Sequence, residues 1–451
     1  MAQGLIASSE SRVVFGLGAT GLSCARFLHR RGLPFAIVDT REQPPELAAL
    51  QAEMPGVPVY AGQWPEDLLT GASELIVSPG IALDQADVAA ARAAGANIVG
   101  DIDLFVREAA APVVGITGSN AKSTVTELVG QMAHTAGLNA GVGGNLGTPA
   151  LELLDPAREL YVLELSSFQL ERAGKLGLAV ASVLNVSADH LDRHGSMPRY
   201  HQAKHRIFQG CGTAVVHRGD PLTVPPLAEG MEIVEWSLGE PDLKGFGLRN
   251  DGGREMICHG FQSLMPAAEI GLAGRHNLGN ALAALALGHA AGLPTAAMLT
   301  ALRQFTGLPH RCQPVADRNG VRYVNDSKGT NIGAATAALN GLGGDHDVVL
   351  IAGGQGKGAD FRELRPAVQR HCRHVLVMGE DALPIARALD DIVPVERVQD
   401  IPEAVQRAAV LARPGDTVLL SPACASFDMF RGYAARGEAF TAAVRALGGG
   451  E

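Results

Sequence analysis

Short apolar runs recur along the chain, most of them ended by a glycine-rich or polar turn and followed by an apolar stretch at helical spacing. Arg12-Val-Val-Phe leads into Gly16 and then an apolar helix over Leu22 to Arg31. Phe35 to Asp39 is a second strand, and Leu75-Ile-Val-Ser78 a third, closed by Pro79-Gly80. Ala86 to Ala94 has helical spacing and stops at Gly95, before a last short strand at Ile98-Val99. Alternating strand, turn and helix predicts a parallel sheet covered by helices. Met1 to about Gly100 therefore forms a small α/β domain.

The pattern restarts with a helix over Asp101 to Ala109, a strand over Val113 to Ile116 and a helix through about His134. Gly141 to Pro149 is expected to be a glycine-dense loop before a helix. Tyr161 opens a strand with an acid, Glu164, at its carboxyl end; Ser182 to Val186 is the next strand, and Tyr200 to Phe208 a helix. Residues 213 to 272 alternate short strands with Gly, Asp and Pro turns, which predicts a β-rich part. A long Ala/Leu helix then runs to about Ala291, with Asn277 and Asn280 on one face. Leu308-Pro309-His310-Arg311 is the expected hinge into a third α/β domain, about 309 to 451. Its strands are Tyr323-Val324, Asp347 to Ala352, His374 to Met378 and Thr417 to Leu420, with a helix over Ile332 to Leu342.

Composition narrows the class without changing this picture. At 451 residues the chain exceeds what one core supports. Its 47% apolar and 19% charged content is that of a globular protein, and a net charge of −10 disfavours nucleic-acid and anionic-membrane partners. The six cysteines have no C-x-x-C spacing, as expected of thiols in a reducing cytosol. Met1 to Ser11 lacks an apolar targeting core, and no apolar run reaches membrane-spanning length, so a cytoplasmic location is expected.

Two glycine turns carry candidate chemistry. Gly115-Ile-Thr-Gly-Ser-Asn-Ala121-Lys122-Ser123-Thr124 follows a strand and opens a helix, the layout of a phosphate-binding loop. Backbone N–H groups and a helix N-terminus face the anion, Lys122 supplies a cation, and Ser123 a hydroxyl for Mg²⁺. Ala121 stands where the strict pattern has glycine, a change the loop accepts if residue 121 keeps a negative φ. The other turn, Gly16-Leu-Gly18-Ala-Thr20-Gly21, is a G-x-G-x-x-G motif, with Asp39 at the end of the next strand; alone it reads as an NAD site. Glu164, Asn185 and His190 fall at strand carboxyl ends, on the rim expected to hold Lys122.

Seven segments together resemble the Mur ligase family: 115–124, Glu-Leu-Ser-Ser-Phe-Gln-Leu at 164–170, Asp-His-Leu-Asp-Arg-His at 189–194, Gly-Arg-His-Asn-x-x-Asn at 274–280, Leu-Pro-His-Arg at 308–311, Asn-Asp-Ser-Lys-x-Thr-Asn at 325–331 and Ser-Pro-Ala-x-Ala-Ser-Phe-Asp at 421–428. They span about residues 13 to 440 in family order. The resemblance implies an α/β fold of three domains: a Rossmann-like UDP-binding domain over 1–100, a central P-loop ATPase domain over 101–308 and a Rossmann-like amino-acid-binding domain over 309–451. It also replaces NAD by UDP at the first glycine turn. Implied substrates are UDP-MurNAc-L-Ala, ATP and an amino acid. The 421–428 run and the lack of an Asp-Asn-Pro-Arg signature favour D-glutamate over the other amino acids that family members add. The implied reaction runs through an acyl phosphate and a tetrahedral intermediate, in a cytoplasmic monomer.

By the same resemblance, Lys122, Glu164, His190 and Lys204 are catalytic. Gly118, Ser119, Asn120, Ala121, Ser123, Thr124, Asn277, Asn280, Arg311, Asp326 and Lys328 join Lys122 around ATP. Gly18, Ala19, Thr20, Asp39, Thr40, Ser78, Gly80 and Asn145 fall at the UDP-sugar, and Thr330, Lys357, Ser426, Phe427 and Tyr433 at D-glutamate. Two Mg²⁺ ions are implied at Ser123, Thr124, Glu164, His190 and a carbamylated Lys204, which carries an added CO₂.

Overall fold

The computed structural model describes residues 11–145, 147–226, 229–272 and 274–447. Three sheets follow one another among them. In the first, all-parallel sheet the spatial order is Val59–Ala61, Phe35–Asp39, Arg12–Phe15, Glu74–Val77, Asn97–Val99. Chain direction across the sheet reverses on either side of Arg12–Phe15, so its carboxyl end opens onto a crevice, where such sheets bind ligands. The crevice is edged by Gly16 to Gly21, Asp39 and Ser78 to Gly80.

The central sheet repeats this device. Val113–Thr117, buried throughout, lies between Leu160–Glu164 and Val180–Val183, both parallel to it. The β-rich part continues the same sheet rather than forming a separate layer: Thr213–His217 and Glu232–Trp236 extend it, and an antiparallel meander of Phe246–Asp251, Arg254–His259 and Gln262–Pro266 finishes it. One expected loop is a strand. Ala140–Gly144 pairs with Leu160–Glu164 at the sheet edge, followed by a short 3₁₀ turn at Ala150–Glu152. Glycine permits the pairing, because a Cβ on Gly144 would lie 2.5 Å from the Glu164 carbonyl oxygen.

In the third sheet Thr417–Leu420 lies between Val321–Asn325 and Val348–Gly353, with Gln313–Arg318 as an antiparallel edge. The helix Ile332–Leu342 occupies the range expected from its spacing.

The joints between units differ. One apolar cluster runs from the first unit into the central one, joining Phe27 and Leu28 to Phe105, Leu151, Leu153 and Tyr161. On the central side Phe105 and Tyr161 meet edge to face at 5.0 Å. The third unit has its own apolar clusters. Beside the 115–124 turn it meets the central unit through polar side chains, such as Asn331 to Asn120 at 3.0 Å. Apolar contacts give the first joint a large desolvation gain on closing, whereas water can replace the polar pairs of the second.

Candidate active site

The strand Val113–Thr117 delivers the phosphate loop, and the helix Lys122–Thr135 carries it away. The loop is tied from beside it. Asn120 donates its backbone N–H to the Asn185 side chain at 2.8 Å, and Ser119 Oγ lies 3.1 Å from the Tyr200 hydroxyl. Ala121 is the helix N-cap at φ 66°, ψ −4°, in the left-handed region. The negative φ on which tolerance of Ala121 was made conditional is therefore not met. The turn needs positive φ here, as the glycine of the strict pattern would supply, and the Ala121 methyl is accommodated under strain.

Lys122 Nζ donates to the Gly118 carbonyl at 2.8 Å and the Ser119 carbonyl at 3.1 Å, curled over its own loop. Lys204, 1% exposed, donates to the same Gly118 carbonyl at 2.8 Å and lies 4.6 Å from the centre of the Tyr200 ring. Burial drives the Lys204 ammonium well below the usual lysine range, reinforced by Lys122. Burial lowers Lys122 as well, opposed by Glu164 and Asp189.

Glu164 is 3% exposed at its strand's end, and its Oε1 accepts from Asn145 at 2.6 Å. Its Oε2 is buried with no hydrogen-bond partner. Burial pushes the carboxyl up, but Lys122, Ser123, Asn145 and Arg311 together hold it below the ordinary range. A buried, ionised oxygen without a donor fits a cation as its missing partner. Among the described residues no three His, Cys, Asp or Glu side chains converge as a metal cage.

His190 has φ 54° and packs edge to face on Phe168, ring centres 4.8 Å apart. Burial lowers its pKa to about 4, against the pull of Asp189, so the ring is neutral at pH 7 and can offer a lone pair.

The third unit closes the cleft. Arg311 donates to Ser123 Oγ at 2.6 Å. Lys357 donates to Asp189 at 2.5 Å, and Asn331 to Asp189 at 3.1 Å. Asp326 accepts from Ser421 Oγ at 2.6 Å, and burial raises its pKa to about 6. Lys328 lies 3.8 Å from the centre of the Tyr433 ring, and burial lowers its pKa to about 8. Four cations (Lys122, Arg311, Lys328, Lys357) thus face three carboxylates (Glu164, Asp189, Asp326), a surplus suited to polyanionic ligands.

Beside the loop a cleft of about 400 Å³ is bordered by Ala121, Trp236, Asn277, Asn280, Arg311 and Lys328, a size suited to a nucleotide. Asn280 donates to Asn277 Oδ1 at 2.9 Å, as their shared face predicts. Thr330 and Lys357 line a small hollow with Asp189. Ser426 is buried, while Phe427 stands at the rim, 70% exposed.

The residues expected at the UDP-sugar form a second group, on the first sheet. Gly18 caps the helix Ala19–Arg30 without a side-chain bond, leaving first-turn N–H groups to a ligand. Ala19, Thr40 and Gly80 are exposed and Thr20 half-buried. Ser78 donates to the Gly16 carbonyl at 2.8 Å. Asp39 is 1% exposed and turned inward, accepting from Leu17 N–H at 2.7 Å and from Arg41. Asn145, in the central unit, donates to Glu164 Oε1 at 2.6 Å.

Sequence reasoning missed Asp189 as the partner of Lys357, Asn331 as the bridge to Asn120, and Tyr200 as the packing face for Lys204. Asp189 and Asn331 stood inside motifs already noted, so position at a strand end was the available signal. Tyr200 had only its helical spacing of four from Lys204.

Family models match all three units: a Mur ligase MurD-like N-terminal domain over 10–100, a Mur ligase middle domain over 116–288 and a Mur ligase glutamate ligase domain over 310–424. A UDP-N-acetylmuramoylalanine–D-glutamate ligase of Pseudomonas fluorescens is 56% identical over 445 residues, covering 98% of this chain and 99% of the relative. Its counterpart from Marinobacter nauticus is 50% identical over 444 residues, covering 98% and 100%. Among solved structures, a UDP-N-acetylmuramate–alanine ligase of Thermotoga maritima superposes with a TM-score of 0.58 at 19% identity, covering 97% of this chain and 99% of that one. A MurF ligase of the same organism in complex with ADP gives 0.57 at 17%, covering 97% and 96%.

Proposed function

The chain belongs to the Mur ligase family, and on that premise we propose that it joins D-glutamate to UDP-N-acetylmuramoyl-L-alanine at the expense of ATP. It is an ATP-dependent ligase of peptidoglycan precursor synthesis. The observation that carries the assignment of the site is the meeting of Arg311, Asn331 and Lys357 with the phosphate loop and Asp189, which closes one cleft between the central and third units.

A carboxylate is a poor acyl donor because oxide is a poor leaving group. In the proposed reaction the substrate carboxylate oxygen attacks the γ-phosphorus of ATP, ADP leaves, and an acyl phosphate forms. The amine of D-glutamate then attacks the acyl carbon. The tetrahedral intermediate expels phosphate, and the ammonium proton passes to solvent or phosphate.

The chain's part is to gather anions and exclude water. Lys122 takes the β- and γ-phosphates once they displace its contacts with Gly118 and Ser119. Asn277, Asn280, Arg311, Asp326 and Lys328 hold the nucleotide from the hinge side. Gly18, Ala19, Thr20, Thr40, Ser78 and Gly80 hold the UDP, with Asp39 supporting the turn at Leu17. Lys357 exchanges Asp189 for a carboxylate of D-glutamate, framed by Thr330, Ser426, Phe427 and Tyr433. Ser123, Thr124, Glu164, His190 and a carbamate on Lys204 would hold two Mg²⁺ ions, which supply charge neutralisation at the transferring phosphoryl group. The buried, partnerless Glu164 oxygen and the depressed Lys204 amine support this ligand set, since an unprotonated amine is the form that adds CO₂. The three units are assigned to 1–100, 101–308 and 309–451. The polar joint of the third makes it the unit that opens and closes.

The deciding assay is phosphate release with ATP and UDP-MurNAc-L-Ala against a panel of amino acids. Release that depends on D-glutamate is expected; release that follows another amino acid would reassign the chain within its family.

A further inference from the structure

The 77–81 segment follows the strand Glu74–Val77 at the carboxyl rim of the first sheet, and its Ser78 ties it to the glycine turn through the Gly16 carbonyl. It is gripped from the central unit by Arg172, the last residue of the helix Ser167–Arg172. The guanidinium donates to the carbonyls of Val77 at 3.2 Å, Ser78 at 2.5 Å, Pro79 at 3.2 Å and Ile81 at 3.2 Å. Its Nε donates to the Phe168 carbonyl at 2.7 Å. The side chain is fully buried, and its nearest carboxylate, Glu171, is 3.6 Å away. Burial lowers its pKa to about 10, which leaves it charged at pH 7.

A buried cation held by a fan of carbonyls is an unusual way to join two units that already share an apolar core, because burying charge opposes docking. Apolar contact fixes that units touch; a planar fork on converging carbonyls fixes at what angle. What lies behind Arg172 explains why angle matters. Its helix starts three residues after the end of the strand that carries Glu164, capped by Ser166. The Phe168 ring packs on His190. Arg193, three residues beyond His190, adds a second grip on the Ile81 carbonyl at 2.8 Å and stacks its guanidinium over Phe168 at 5.3 Å.

We infer that Arg172 is a positioning residue: it sets the UDP-holding edge of the first unit against the strand ends bearing Glu164 and His190, at the angle that lets both units bind one UDP-sugar together. The inference rests on the ligase assignment above and names a residue outside its ligand-contacting set. Arg172 acts through the 77–81 backbone and touches no reacting atom.

The test is steady-state phosphate release by the full chain with each substrate varied in turn, for wild type, Arg172→Gln, Arg172→Lys and Arg193→Ala. Arg172→Gln is expected to lower kcat/KM for UDP-MurNAc-L-Ala about 100-fold, chiefly through KM, with KM for ATP changed less than about twofold. Arg172→Lys recovers part of the loss, since an ammonium keeps the charge but lacks the fork. Arg193→Ala moves the same KM in the same direction by a smaller factor. An unchanged KM for the UDP-sugar in Arg172→Gln, or equal rises in all three KM values, overturns the inference. If Arg172→Gln fails to fold, Arg193→Ala decides: no rise in the UDP-sugar KM overturns it. A wild-type chain that releases no phosphate from these substrates would instead refute the ligase assignment.

Discussion

Replacing Ala121 by glycine should stabilise the central unit slightly, against the usual direction for a residue at the mouth of a helix. Ala121 sits at φ 66°. A Cβ in that region costs about 1–2 kcal/mol, which Ala121→Gly removes. Two terms oppose the gain. The unfolded chain becomes freer, worth about 0.4–1 kcal/mol. The lost methyl is half-buried against the Ala/Leu core, worth about 0.4 kcal/mol, half of a fully buried group. The balance is about +0.5 kcal/mol, or roughly 1–2 °C in Tm. Denaturant unfolding followed by a probe in the central unit measures it, with Ala121→Val as the opposite arm. A β-branched residue at this φ should cost more than about 2 kcal/mol. Catalysis should change little in Ala121→Gly, because Lys122 and the hydroxyls keep their places. The reasoning fails if glycine destabilises the unit by 1 kcal/mol or more, or if valine is tolerated as well as alanine.

Three further outcomes follow from the site. Lys122→Ala should remove ATP-dependent ligation, by about 1000-fold or more in kcat, while circular dichroism stays that of a folded chain. Lys204→Ala should lose activity and regain part of it with small carboxylates such as acetate, and wild type incubated with ¹³C-bicarbonate should give a carbamate carbon signal that Lys204→Ala lacks. Asp326 has a pKa raised to about 6 by burial. The folded state therefore holds its proton more tightly than the unfolded chain, and this contribution is complete below pH 4 and lost as pH rises to about 6. The stability difference between wild type and Asp326→Asn should change by about 3 kcal/mol over that window, in the direction that penalises wild type at the higher pH.

Much of the architecture could be read from local pattern. The helix Ile332–Leu342 and the strand Thr417–Leu420 stand where spacing placed them, because their apolar faces match the period of the element they form. Gly141 to Gly144 did not read as a strand, since the glycines there serve a close backbone approach that only the neighbouring strand demands. The first glycine turn misled in a different way. A G-x-G-x-x-G sequence specifies a diphosphate at a helix N-terminus and is silent about the nucleoside.

By itself the sequence determined the alternation that makes three α/β units, the two phosphate-binding turns, and the polar residues waiting at strand ends. These are properties of short segments, governed by backbone sterics, side-chain period and turn chemistry. The tertiary structure decided the rest. It turned residue 121 left-handed, where the sequence alone permitted a negative φ. It left one oxygen of Glu164 without a partner, set Lys357 on Asp189, and drove Arg172 from one unit into the backbone of another. Each depends on which groups distant segments bring together and how completely they shut out water. Burial and long-range pairing alter a side chain's charge and partners without leaving a mark in its neighbours along the chain.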